Sequence, residues 1–132
     1  MKKYILPAAI IIIVLVLAGA GFAYLSSKNK TKAPEKSTKE IITELLSKKY
    51  NRQPDSMIIG VTADTGTFAK GTYNEPAGGG GLWFAAKTAA GWELAFDGNG
   101  IAPCMEISKY NFPKDIIPTC LDIQNNNNLI KR

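Results

Sequence analysis

The stretch Gly78–Cys104 constrains the fold more than any other part of the chain, because it has the pattern of a β-hairpin with its turns. Successive side chains along Leu82–Lys87 would point to two faces of a strand, and after a short turn the larger apolar residues of Trp92–Asp97 alternate with Glu93, Ala95 and Asp97. Such alternation is typical of strands that bury one face. The stretch also holds both tryptophans of the chain. We therefore predict that this hairpin supplies the largest side chains of the core.

An amphipathic helix and two further strands precede the hairpin. Ser37 and Glu40 have the spacing of a capping box, in which each side chain bonds the other residue's amide. The apolar positions that follow have helical spacing and are predicted to face the sheet: Ile41, Ile42, Leu45 and Leu46. Ser56–Ala63 and Thr67–Tyr73 have the pattern of two strands joined by a turn. We predict an α+β domain over residues 37–122, in which the helix packs on a four-stranded antiparallel meander.

The C-terminal part of this domain contains the chain's two cysteines, Cys104 and Cys120. Prolines interrupt the segment between them, so it has little regular pattern to hold it on the sheet. We predict a disulfide that closes this C-terminal loop, which requires an oxidising compartment. Two unpaired, buried cysteines in a reducing compartment are the alternative. The asparagine-rich residues 123–132 are predicted to form a disordered polar tail.

The N-terminal residues 1–25 begin with two lysines and continue with Tyr4–Leu25, which contains no charged residue. As a helix, these 22 residues would span roughly 33 Å, enough to cross a hydrocarbon core of about 30 Å. They are predicted to be a transmembrane anchor. A cleaved signal peptide is the alternative, with the small residues Ala18–Ala20 at its cleavage site. Residues 26–36 follow as a basic linker.

The orientation in the membrane rests on opposing signals. Three lysines shortly after the apolar segment outnumber the two before it, which by the positive-inside rule favours a cytoplasmic domain. The short N-terminus and the cysteine pair favour the opposite orientation. We predict a single-pass protein of the cell membrane with an extracytoplasmic C-terminal domain, or a secreted domain if the segment is cleaved.

The net charge of +5 belongs to the N-terminal arm. Residues 1–36 contain six lysines and one glutamate, whereas residues 37–132 contain ten basic and ten acidic side chains. A nucleic-acid-binding domain would carry positive charge on its folded part. We therefore predict no nucleic-acid partner. The predicted partners are the membrane, through residues 4–25, and an unknown envelope protein or ligand.

Two glycine-containing motifs partly resemble known ligand-binding loops, but the residues around them do not complete either motif. Gly78–Gly81 precedes a strand and lacks the Lys-Ser/Thr pair of a phosphate-binding loop. Asp97–Gly100 begins like a calcium-binding loop, but Ala102 and Ser108 occupy the positions of the required glycine and glutamate. We predict a flexible loop or a close approach of a neighbouring backbone at Gly78–Gly81 and a turn at Asp97–Gly100, with neither a cofactor nor a metal.

No catalytic constellation emerges from the sequence, which has no histidine and so lacks the usual general base. Glu93 and Asp97 are four residues apart in one predicted strand, so they would share a face and are candidates for ligand binding or for acid–base chemistry, with the solvated face of a strand as the alternative. Trp83 is a candidate for stacking on a ligand if it points outward. Packing under a loop or at the membrane-proximal surface is the alternative for this side chain.

The motifs across Gly78–Asp122 form the pattern GGGG-x-W-F … D-G-x-G … C … Y-x-F-P … P-x-C. This pattern resembles uncharacterised small exported, membrane-anchored domains of uncultured bacteria and archaea. The resemblance implies a small exported α+β domain, and it does not imply any activity for this chain. The order of one helix and four strands is similar to cystatin-like folds in architecture only.

Together these patterns predict a non-catalytic extracytoplasmic module that is tethered to the membrane and binds an unknown partner or ligand at the cell envelope. One alternative is a small exported enzyme that uses carboxylates such as Asp97 and Glu93. Another is an accessory subunit of a membrane complex, which would show an exposed apolar patch.

Overall fold

The computed structural model describes residues 35–76 and 78–132. The elements are helix α1 (Thr38–Tyr50), strands β1 (Ile58–Asp64), β2 (Phe68–Asn74), β3 (Gly80–Thr88) and β4 (Gly91–Gly98), helix α2 (Cys104–Ile107), and strands β5 (Thr119–Asp122) and β6 (Asn128–Lys131). Strands β1 to β4 form one antiparallel sheet in chain order, and β5 pairs with β6 in a separate hairpin. The predicted α+β fold with its four-stranded meander is confirmed.

The predicted membrane or signal segment, Tyr4–Leu25, lies outside the described residues, as does the linker up to residue 34. Among the residues that the structure describes, no helix has both the length and the apolar character needed to cross a bilayer.

Helix α1 begins and ends at the positions that its sequence predicts. The Ser37 hydroxyl accepts a hydrogen bond from the Glu40 amide at 3.3 Å, and the Glu40 carboxylate accepts one from the Ser37 amide at 2.8 Å. Asn51 ends the helix in the left-handed conformation with φ 52°, which asparagine tolerates better than most residues. Ile42 and Leu46, one turn apart, are fully buried, so the predicted apolar stripe does face the core.

Strand β4 contains a β-bulge that the alternating sequence does not reveal. Phe84 of β3 is paired with Phe96, and the next residue, Ala85, is paired with Leu94. Ala95 is therefore an extra residue in β4. Because side chains alternate along a strand, one extra residue exchanges the faces of all residues that follow it.

Both faces of the sheet are buried, whereas the sequence of the hairpin predicts one. The helix-side core lies under α1 and consists of Ile42, Leu46, Met57, Ile59, Ala69, Tyr73, Trp83 and Ala85. The C-terminal core lies on the opposite face and consists of Ala86, Ala95, Ala102, Ile107, Phe112, Ile116, Ile117 and Cys120. The second face is covered because the chain after β4 folds back over it, next to the small side chains of Ala86 and Ala95.

The chain after β4 is held by the predicted disulfide. Cys104 and Cys120 are bonded, so the start of α2 is joined to β5. A backbone hydrogen bond of 2.9 Å from Leu121 to the Ala102 carbonyl runs beside this bond. From β2, the Lys70 ammonium group donates hydrogen bonds to two carbonyls of the same segment, those of residues 115 and 116, at 3.2 and 2.9 Å.

The prediction of a disordered tail over residues 123–132 is wrong for its second half, because residues 128–131 form β6. Asn126 and Asn127 both have φ 56°, a conformation that asparagine adopts readily in tight turns. The asparagine run is thus the connection of a hairpin. Beyond β6, the Arg132 guanidinium donates hydrogen bonds to the carbonyls of Phe112 and Ile117 at 3.0 and 3.3 Å, which ties the end of the chain to the C-terminal core.

Candidate functional site

Trp83 lies in the helix-side core with no exposed surface. Its indole N–H donates a hydrogen bond to the Thr72 carbonyl at 3.1 Å. The ring lies against Gly71, where an added Cβ atom would come within 2.5 Å of an indole carbon. Stacking on a ligand would require an outward side chain, so that hypothesis is wrong for Trp83, whose ring packs in the helix-side core.

Glu93 and Asp97 point to opposite faces of the sheet. Glu93 is paired with Ala86, which belongs to the C-terminal core, and Asp97 is paired with Trp83, which belongs to the helix-side core. The bulge at Ala95 causes this separation, since it reverses the alternation between the two acids. The prediction that both carboxylates share one face is wrong, and they do not form an acid–base pair.

Asp97 holds the end of helix α1 against β4. Its side chain is 1% exposed, and its carboxylate accepts hydrogen bonds from the Lys49 ammonium group and the Tyr50 hydroxyl. The Tyr50 hydroxyl also lies 3.3 Å from that of Tyr73. These contacts raise the pKa of Tyr50, first through the hydrogen bond to Asp97 and then through the one with Tyr73. Both oxygens of this buried carboxylate thus hold the end of the helix in place.

Glu93 holds the C-terminal segment against the β3–β4 hairpin in the same way. Its carboxylate accepts hydrogen bonds from the Thr88 hydroxyl at 2.8 Å and from the Tyr110 hydroxyl at 3.0 Å. The Lys109 ammonium group lies 3.9 Å away. The hydrogen bonds from Thr88 and Tyr110 favour the charged form and so lower the pKa of Glu93 below its ordinary value of 4.5.

This lowered pKa predicts a pH dependence of folding. A carboxylate with a lower pKa in the folded state stabilises the fold above its unfolded pKa, and this contribution is lost as the pH falls through the folded pKa. Glu93→Gln, which cannot ionise, should therefore lose less unfolding free energy than the wild type between about pH 7 and about pH 3. Urea denaturation at the two pH values measures both losses.

Glu106→Gln is the matched control, because Glu106 is exposed and its side chain makes no hydrogen bond within the described residues. This variant should follow the wild type. If the wild type and Glu93→Gln lose the same unfolding free energy between about pH 7 and about pH 3, the structural role of Glu93 is contradicted.

An open groove lies on the sheet face that the C-terminal segment covers only in part. Three adjoining depressions of about 490, 250 and 150 Å³ share Leu82 as a wall residue, and we call them together the Leu82 groove. Leu82 is 40% exposed and Ile101, which lines the same groove, is 42% exposed. The groove therefore offers apolar surface that the fold itself leaves uncovered.

The two ends of the Leu82 groove differ in chemistry. The polar end is lined by Thr72, Asn74, Asn99 and the backbone of Gly79–Gly81. The apolar end is lined by Leu82, Phe84, Ile101, Ile116, Ile117 and Pro118, with Thr62, Thr119 and Lys70 beside them. Glycine is required at the polar end, since a Cβ atom on Gly80 would lie 2.4 Å from the Tyr73 carbonyl oxygen.

Sequence reasoning missed this groove although it considered two of its parts. In the sequence, the glycine run partly resembles a phosphate-binding loop and Asp97–Gly100 partly resembles a calcium-binding loop, and neither motif indicates that the two lie side by side. The structure brings Gly79–Gly81 and Asn99 together at one end of the groove. Within the described residues, no three His, Cys, Asp or Glu side chains are close enough together to hold a metal ion.

No family model, no curated protein and no solved structure matches this chain. The resemblance to exported domains of uncultured microbes therefore stays a prediction.

Proposed function

We propose that this chain is a non-catalytic binding module, exported and held at the cell membrane by residues 4–25, that takes its partner or ligand in the Leu82 groove. The observation that carries the proposal is the groove itself, an exposed apolar floor beside polar side chains. Such a combination is typical of sites that bind by burial and fix orientation with a few polar groups.

Two further observations support binding over catalysis. Glu93 and Asp97 are the two acids on which the enzyme alternative depends. Each is engaged in contacts within the fold, and they lie on opposite faces of the sheet. The groove walls contain no acid among the residues that the structure describes. The disulfide supports export, because such bonds persist mainly in oxidising compartments.

The role of an accessory subunit is a second candidate, and a separate surface favours it. Met105, Ile123 and Ile130 line a depression of about 620 Å³ between α2 and the β5–β6 hairpin, and all three are exposed. Exposed apolar patches of this kind mark interaction surfaces. A partner bound there would not need the Leu82 groove.

Affinity capture from detergent-solubilised membranes of the source organism tests the proposal. The full chain should retain at least one membrane or envelope component that Leu82→Asp and Asn74→Asp both lose, because each introduces a negative charge where the groove presents an uncharged side chain. Val61→Asp is the matched control, since Val61 is 37% exposed, close to the 40% of Leu82, and is paired with Gly71, which places it on the opposite, helix-side face of the sheet.

Met105→Asp separates the second candidate from the first. Loss of the retained component with Met105→Asp alone would support the accessory-subunit role and contradict binding in the Leu82 groove. Thermal unfolding of each variant shows that a loss of binding does not come from a loss of folding.

A further inference from the structure

The shape of the Leu82 groove fits an extended chain. The groove follows β2 from Lys70 to Asn74, four residue steps that cover about 13 Å at about 3.3 Å per residue. An extended peptide advances by nearly the same distance per residue, so about four of its residues would fill this length. A compact ligand would occupy one depression and leave the other two open.

The charges of the walls select an uncharged occupant. Among the described residues, Lys70 is the one charged residue that lines the groove, and its ammonium group already donates hydrogen bonds to two carbonyls of the C-terminal segment. A basic group of a ligand would lose water here without gaining an acidic partner, which is costly. An acidic group would meet only the Lys70 ammonium group, two of whose three N–H donors are already engaged. Phosphorylated and strongly acidic or basic ligands are therefore disfavoured.

The polar end of the groove suits the backbone of a peptide. Within the described residues, the side chains of Thr72, Asn74 and Asn99 make no hydrogen bond to the protein. A hydroxyl and two carboxamides can both donate and accept hydrogen bonds. Peptide groups present one donor and one acceptor each, and these side chains can satisfy both.

The apolar end favours a peptide over an oligosaccharide. Sugar rings bind best against the open face of an aromatic side chain, because their C–H groups pack on it. Phe84 is the one aromatic residue in the walls, and its ring is packed with those of Phe96 and Phe112, at centroid distances of 6.1 and 6.3 Å. Leu82 and Ile101 instead offer aliphatic surface of the kind that receives an aliphatic side chain.

We infer that the occupant of the Leu82 groove is a short, uncharged, extended peptide segment of a partner protein. Its backbone bonds Asn74, Asn99 and Thr72, and one aliphatic side chain packs on Leu82 and Ile101. This inference rests on the proposed function, since it names the ligand class of the same groove.

Selection from a phage library of random heptapeptides tests the inference, with the full chain immobilised in detergent micelles. Enriched peptides should contain an aliphatic residue flanked by uncharged residues. Leu82→Asp and Asn74→Ala should each weaken their binding by about tenfold or more, the effect of a contact worth about 1.4 kcal/mol. Val61→Asp, on the opposite face of the sheet, should bind as the wild type does.

A second probe separates the failure of the inference from the failure of the proposed function. Chitotetraose, an uncharged oligosaccharide, is titrated into the same proteins. Oligosaccharide binding that Leu82→Asp abolishes, without any enriched peptide, would overturn the peptide class and leave the groove as the binding site. Enrichment of charged peptides, peptide binding insensitive to Leu82→Asp, or the absence of any enriched peptide would also overturn the inference. The proposed function itself is contradicted if Leu82→Asp changes neither the capture of membrane components nor the binding of either probe.

Discussion

Replacing Trp83 with alanine should lower the free energy of unfolding by about 3–5 kcal/mol, the range for large aromatic side chains removed from a core. Trp83 is the largest fully buried side chain of the described residues. Its loss would leave a cavity against Gly71 and would leave the Thr72 carbonyl without its indole donor. Chemical denaturation followed by circular dichroism measures the change.

Trp92→Ala is the matched control, because Trp92 packs on the same core but is only partly buried. Its cost should be clearly smaller. Equal costs for the two tryptophans would show that the helix-side core is not centred on Trp83.

Replacing both Cys104 and Cys120 with alanine should lower the free energy of unfolding by about 3 kcal/mol, on the chain-entropy model for a loop of this length. The two residues are 16 apart in the chain. The loss should be localised, because this bond holds the segment that builds the C-terminal core. Hydrogen exchange should therefore accelerate at Ile107, Ile116 and Ile117 more than in helix α1.

Reduction of the wild type with dithiothreitol gives an independent version of the same experiment. The reduced wild type should match the double variant in denaturation midpoint. A double variant as stable as the oxidised wild type would contradict the role assigned to the disulfide.

The parts of the fold that are local in sequence were predictable. The capping box at Ser37 and Glu40 and the apolar stripe after it give helix α1 directly, because helix starts and amphipathic faces depend on residues within a few turns. The alternation in Leu82–Lys87 gives β3 for the same reason. The disulfide followed from Cys104 and Cys120 being the two cysteines of the chain.

The bulge at Ala95 was not predictable from the sequence, and it is the feature that places Glu93 and Asp97 on opposite faces of the sheet. No residue type in β4 marks an extra position, since the bulge depends on how β4 pairs with β3. Strict alternation places Glu93 and Asp97 on one face, whereas the bulge separates them. Strand β6 was missed for a different reason, because a run of asparagines fits a disordered segment as well as a tight turn.

The candidate site was missed because it is made by distant parts of the chain. Asn74 and Gly79–Gly81 flank one loop, but Asn99 follows a whole strand hairpin later and the wall residues Ile116 and Pro118 come later still. They line one groove only because the C-terminal segment covers the sheet near Phe84 and stops short of Leu82. Such an edge is set by long-range packing, which residue patterns do not reveal.

Site-specific photo-crosslinking tests the central claim, that the Leu82 groove is the binding site, most directly. A benzophenone-bearing amino acid is introduced at Leu82 in the full chain, expressed in the source organism, and at Val61, on the opposite face of the sheet, in a control. We expect a discrete cross-linked product on irradiation with the probe at position 82 and none at position 61. The absence of any product at position 82, or the same product from both positions, would contradict the claim.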